Sequence, residues 1–248
     1  MKPAVVADVG NTRIKWGRSA DGAVREVCSL PPENPALWER QHQQWGLGEN
    51  CQWVVTGVHP PRREQLVEWL RQCGQRVFVL DDPADLPLRV LVARPDHVGI
   101  DRLLDAVAAN SRRLAGVPAV VIDAGSAVTV DCLDESGAFT GGSILPGLRL
   151  MAKALHDYTA LLPLIEPPQK VPSVPGTATI PAMESGIFWA VAGGIEALLR
   201  EYRIRCGAAV EVFLTGGDGP ALQAVLPEAH PWPTMTLEGI RLSAEAMP

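Results

Sequence analysis

A glycine-centred phrase occurs twice in this chain, about half its length apart, and it constrains the fold more than any other feature. The first copy is Val5-Val6-Ala7-Asp8-Val9-Gly10-Asn11-Thr12-Arg13-Ile14 and the second is Val121-Ile122-Asp123-Ala124-Gly125-Ser126-Ala127-Val128-Thr129-Val130. Each runs from β-branched residues into an acid, a glycine two residues on, a small hydroxyl residue and a resumed strand pattern. A strand that ends in Asp-x-Gly and turns straight back exposes backbone N–H groups at the bend. Glycine lets that backbone approach a ligand closely, and hydroxyls add donors for phosphate oxygens. The acid can hold a metal ion or a water. A single copy reads equally well as an ordinary hairpin turn. Two copies, each directly after a buried-type strand, point to a nucleotide site between two related halves.

Composition sets the class. The 248 residues are 47% hydrophobic, enough to bury one large core or two small ones. The formal net charge of -6 comes without any block of lysines or arginines, so the electrostatic footprint of a nucleic-acid binder is missing. Five widely spaced cysteines (Cys28, Cys51, Cys73, Cys132, Cys206) form no CxxC or Cys/His cluster. That indicates neither a disulfide framework nor a zinc site and fits reduced thiols in the cytoplasm. The apolar start reaches Asp8 too soon for a signal peptide. The stretch from Leu114 to Leu133 is broken by Gly116, Pro118, Asp123 and Asp131, which predicts two core strands and no membrane span.

The first half reads as strands over about 4–8, 12–18 and 23–28, a helix over 35–46, a strand over 51–57, a helix over 61–73 and a strand over 76–80. Asn34-Pro35 is a helix start and Gly74 a helix-ending glycine. A loop over 81–97 leads to helical spacing from Ile100 to Leu114. The plan then repeats: strands from Ala119, a hairpin signal at Asp134-Glu135-Ser136-Gly137, a strand to Leu145 and a helix from about Leu148. Residues Leu162 to Pro175 carry five prolines and predict a loop suited to mobility or a partner contact. A helix near Ala182–Arg205, a strand at 210–214, a glycine-rich turn and a closing helix, strand and helix complete the chain. The expectation is an α/β protein of two domains, 1–115 and 116–248, each a mixed sheet covered by helices.

Three further phrases bear on chemistry. Gly99-Ile100-Asp101-Arg102 opens a helix. Asp101 is either a favourably placed acid against the helix dipole or a base for a substrate hydroxyl, beside an arginine for an anionic group. Phosphoryl transfer needs little more than an aligned hydroxyl, a base and cations on the phosphates. Gly141-Gly142-Ser143-Ile144-Leu145-Pro146-Gly147 forms a strand–turn–helix junction in which the glycine pair could also be a floor under a substrate. Thr215-Gly216-Gly217 is a weak phosphate or adenosine signal. The histidines show no ligand spacing, and Trp38, Trp45, Trp53 and Trp69 read as core.

Taken in order, these phrases resemble the type III pantothenate kinases, and with Thr179, Ser185-Gly186 and Thr215-Gly216-Gly217 the resemblance covers essentially the whole chain. It implies the duplicated actin-like, ribonuclease H-like fold of the acetate kinase, sugar kinase, Hsp70 and actin superfamily. Each domain would hold a mixed five-stranded sheet flanked by helices, with the active site in the cleft between them. It also implies phosphorylation of pantothenate by ATP, the first step of coenzyme A synthesis. By position, Asp8, Val9, Gly10, Asn11, Thr12, Arg13, Ile14 and Lys15 match the first phosphate loop, and Ser126 an ATP-contacting hydroxyl. Asp101 matches the proton acceptor, and Gly99, Ile100, Asp101, Arg102 and Thr179 match pantothenate contacts. Asp123 matches the ligand of a monovalent cation, K⁺ or NH₄⁺, and Asp8 is the position for Mg²⁺ brought with ATP. A homodimer is implied as well.

Three positions depart from the family pattern: Val92 stands at a common tyrosine, Ala178 replaces the asparagine before Thr179, and Glu184 replaces a glutamine. All lie on the substrate side, so a superfamily kinase for another small hydroxy compound remains open. So does a non-catalytic role, because the family includes proteins named as Bvg accessory factors for transcription.

Overall fold

The computed structural model describes residues 1–207 and 210–247. In chain order the elements are β1 (Val5–Val9), β2 (Ile14–Ala20), β3 (Ala23–Leu30), α1 (Pro35–Gln44), β4 (Gln52–Thr56), α2 (Pro60–Gln72), β5 (Arg76–Val79) and α3 (Ile100–Arg112). There follow β6 (Ala119–Ala124), β7 (Ala127–Leu133), β8 (Phe139–Pro146), α4 (Leu148–Asp157), α5 (Thr179–Cys206), β9 (Glu211–Thr215), α6 (Gly219–Leu222), β10 (His230–Pro231) and α7 (Met235–Ala246). The expected loop at 81–97 contains only two short 3₁₀ turns, Pro83–Asp85 and Pro95–His97. The chain divides into two compact units, residues 1–112 with 234–248, and residues 113–233. The closing helix α7 therefore packs with the first half, not with the half that precedes it.

In the first unit the strand order is β3-β2-β1-β4-β5. β1 runs antiparallel to β2 and parallel to β4. Alternation along β1 sends Val5, Ala7 and Val9 to one face, where Trp16, Trp38, Trp53, Leu66 and Leu70 complete a core. Trp16 and Trp53 meet edge to face at 5.0 Å, and Trp38, Trp45, Trp53 and Trp69 join this core as expected. The Asn34 side chain accepts the Leu37 N–H at 3.3 Å and Pro35 opens α1. Gly74, at φ +75°, ends α2. On the other side, α3 and α7 cross so closely that a Cβ on Gly239 would lie 2.0 Å from the Leu104 carbonyl oxygen. The α7 Glu238 carboxylate accepts the Val24 N–H at 2.9 Å, and buried Arg241 pairs with Glu238 and Glu245 at 2.7 Å each.

The second unit repeats the plan, with strand order β10-β9-β6-β7-β8. Ile187, Phe188, Val191 and Ile195 of α5 pack on Val120, Ile122, Val128 and Val130. Helix α5 begins at Thr179, earlier than its sequence pattern shows, because Pro181 falls in the first turn, where a missing N–H costs nothing. By length and composition α5 is apolar enough to cross a membrane, yet its buried face is the core of this sheet. The stretch from Leu114 to Leu133 forms β6 and β7, the two core strands expected.

Candidate active site

The first Asp-x-Gly phrase is the β1–β2 turn. Gly10 N–H donates to the Arg13 carbonyl at 3.0 Å. Asp8 lies opposite Lys15 on β2 and opposite Thr56 on β4. Asn11, Thr12 and Arg13 are exposed, whereas the Val9 and Ile14 side chains are buried in the core and offer a ligand only their main chain. Beneath the turn, Gly57 adopts φ +145°, and a Cβ there would sit 2.3 Å from the Val9 carbonyl oxygen. Only glycine lets the β4–α2 junction close against the loop this way.

The second phrase is built alike. Gly125 N–H donates to Ala127 O at 3.1 Å, and Asp123 lies opposite Thr129 and Thr215. Gly216, at φ +93°, abuts Ala124, whose carbonyl oxygen a Cβ would meet at 2.3 Å. Gly147 donates its N–H to Ser126 O at 3.2 Å, and a Cβ on it would come within 2.3 Å of Gly125 O. Ser126 is exposed. The duplication thus extends beyond the two phrases: Thr56-Gly57 after β4 is the counterpart of Thr215-Gly216 after β9. Sequence reading singled out only the second pair. The signal was present in Val54-Val55-Thr56-Gly57, which echoes Phe213-Leu214-Thr215-Gly216.

Both threonine hydroxyls are buried and without a hydrogen-bond partner. A buried hydroxyl left so costs about 1–3 kcal/mol, and each stands beside the acid of its phrase. Carboxylate plus hydroxyl oxygen is a hard donor set suited to Mg²⁺ or K⁺. Among the described residues no three acidic, histidine or cysteine side chains gather into a metal site.

Asp101 stands in the first turn of α3, and its Oδ1 accepts the Arg102 N–H at 2.9 Å. Burial raises its carboxyl above the usual range, against the opposing pull of that N–H and of the Arg102 and Lys15 charges. Lys15 stands on β2 just after the first Asp-x-Gly turn, so its charge and the carboxylate share one electrostatic environment. Gly99 leaves the space: a Cβ on it would lie 2.6 Å from Asp101 Oδ1. Ile100 is buried and holds the helix start in place.

Thr179, the first residue of α5, lines an apolar cavity of about 440 Å³ with Met151, Leu155, Leu162, Met183 and Ile187. The glycine pair at 141–142 meets a backbone requirement. A Cβ on Gly142 would lie 2.1 Å from Asp131 Oδ1 and 2.5 Å from Val130 O, so the glycine serves the close approach of β7. Gly141, at φ +110°, sits at the bulge in the same pairing.

The sequence profile of the type III pantothenate kinases matches residues 4–201. The chain belongs to the type III pantothenate kinase family. A type III pantothenate kinase from Rhodopirellula baltica is 41% identical over 89% of this chain and 89% of its own length. One from Akkermansia muciniphila is 32% identical over 97% of each. The match to one from Paramagnetospirillum magneticum, 43% identical, spans 58% of this chain and about half, 54%, of that relative.

For this family member, solved structures add the fold. A conserved Baf family protein from Campylobacter jejuni superposes with TM-score 0.62 at 22% identity, covering 97% of both chains. MreB5 of Spiroplasma citri bound to ADP does so with TM-score 0.54 at 10% identity over 99% of both. With two mixed five-stranded sheets in the same strand order, the fold is the duplicated actin-like one.

Proposed function

We propose that this family member transfers the γ-phosphoryl group of ATP to the hydroxyl of pantothenate. The observation that carries this reading is the half-buried Asp101 carboxylate in a space cleared by Gly99, in a chain matched along most of its length by type III pantothenate kinases. Asp101 accepts the proton of the attacking hydroxyl, and its raised affinity for protons makes it the stronger base. Arg102 binds the substrate carboxylate, and Gly99, Ile100 and Thr179 complete the pantothenate contacts. Main-chain N–H groups of Asn11 and Thr12, with Lys15 and the Ser126 hydroxyl, hold the phosphates, and Gly10 lets the bend approach them closely. Mg²⁺, held by Asp8, would neutralise charge on the transferring group. Asp123 with Thr215 would hold the monovalent cation.

The working form is read as a cytoplasmic homodimer. Leu150, Tyr158, Leu161, Leu164, Ile180 and Trp189 leave an apolar surface on α4, α5 and the proline-rich loop, with Tyr158 89% and Leu161 91% exposed. A second copy of the chain is the occupant proposed for it. The kinase reading is tested by ADP release with ATP, Mg²⁺ and K⁺. Release that depends on pantothenate supports it, and release indifferent to pantothenate overturns it.

A further inference from the structure

We propose that Arg62 is a positioning residue that sets the orientation of the phosphate loop through the Asn11 carbonyl, an inference that rests on reading the β1–β2 turn as that loop. The Arg62 guanidinium donates to Asn11 O and is held from the other side by Glu33 at 2.7 Å. Its main chain is equally fixed. His59 Nδ1 caps α2 by accepting the Arg62 N–H at 3.4 Å, and Pro60 and Pro61 fill the two preceding positions of the helix. The fixed proline φ is pre-organised for the first turn of the helix, in which Arg62 stands. Five residues earlier, Gly57 closes the same junction onto Val9. The β4–α2 junction therefore touches the loop twice, once under β1 and once at its tip.

The consequence follows from peptide geometry. In a planar trans peptide the Asn11 carbonyl and the Thr12 N–H point in opposite directions. Tying the carbonyl to Arg62 aims the Thr12 N–H away from α2, as a donor to an anion requires. Without the tie, the 11–12 peptide can turn over and present a carbonyl dipole to the phosphates. Arg62 thus acts on nucleotide binding without touching the nucleotide.

Arg62→Ala should raise KM for ATP about tenfold, the worth of one hydrogen bond to a charged group, with kcat and KM for pantothenate within about twofold. Amide hydrogen exchange over residues 9–13 in the nucleotide-free protein should quicken, and Arg62→Lys, which keeps a cationic donor, should recover much of both effects. Unchanged KM for ATP together with unchanged exchange overturns the proposal. A raised KM with unchanged exchange also overturns it, because Arg62 then meets the phosphates directly. Quickened exchange with unchanged KM instead sinks the phosphate-loop reading on which the proposal stands.

Discussion

Replacing Gly99 by alanine separates the chemistry of Asp101 from its part in folding. The new Cβ would lie 2.6 Å from Asp101 Oδ1, whereas ordinary contact begins at 3.4 Å, so the carboxylate must retreat by about 0.8 Å. The carboxylate end of one side chain can make that move by rotation, and the next atoms a Cβ would meet, Asp101 Cγ at 3.7 Å and Val58 Cγ1 at 3.8 Å, are at ordinary contact. Stability should therefore stay within about 1 kcal/mol of the parent protein. A catalytic group displaced by about 1 Å can cost roughly a hundredfold in rate, which is about 2.7 kcal/mol of barrier. The assay is steady-state ADP release, run on Gly99→Ala, Asp101→Asn and the double variant. Because both changes act on one group, the double variant should be no slower than Asp101→Asn alone. If Gly99→Ala keeps kcat within about threefold, or slows the Asn variant further by the same factor, Gly99 is not there to make room for the base.

Four other outcomes follow from the structure. Burial raises the Asp101 carboxyl, so kcat/KM should fall on acidification from a pH above that at which a free aspartate titrates, about 3.9, and this limb should vanish in Asp101→Asn. A raised carboxyl holds its proton more tightly in the folded state, so its contribution to stability is present at low pH and lost as pH rises through the raised value; the Asn variant should melt higher at neutral pH. Replacing K⁺ by Na⁺ at constant ionic strength should lower turnover, and Asp123→Ala should remove both the difference and most activity; equal rates in the two salts would contradict a cation held there. Leu161→Asp with Trp189→Asp should convert a dimer to a monomer in sedimentation, and a parent protein that sediments as a monomer would dispose of the second copy.

Much of this was legible in the sequence, and what escaped did so for physical reasons. Asp-x-Gly after a β-branched run specifies a strand and its turn within a few residues, so both phosphate-loop candidates lie where they were expected. Asn34-Pro35 and Gly74 marked helix ends because capping is equally local. Thr56-Gly57 passed unnoticed because its meaning lies in what it packs against: φ +145° and the Val9 carbonyl are features of the folded sheet. The particular need for glycine at 142 was hidden for the same reason, since crowding by Asp131 on the neighbouring strand is invisible along the chain. Asp101 was legible as an acid at a helix start, but the burial that raises its carboxyl was not.

The return of α7 to the first unit has a consequence for how this protein comes into being. Synthesis delivers the first sheet early, but the helix that receives α3, caps the Val24 N–H and buries Arg241 is encoded at the far end of the chain. The intervening residues 113–233 are contiguous and can close their own core as soon as they are made. The half begun first is therefore the half finished last. Until residue 234 and those beyond it emerge, Leu104 and its neighbours on α3 wait with one face uncovered, the kind of transiently exposed apolar surface that makes a partly made chain prone to aggregate.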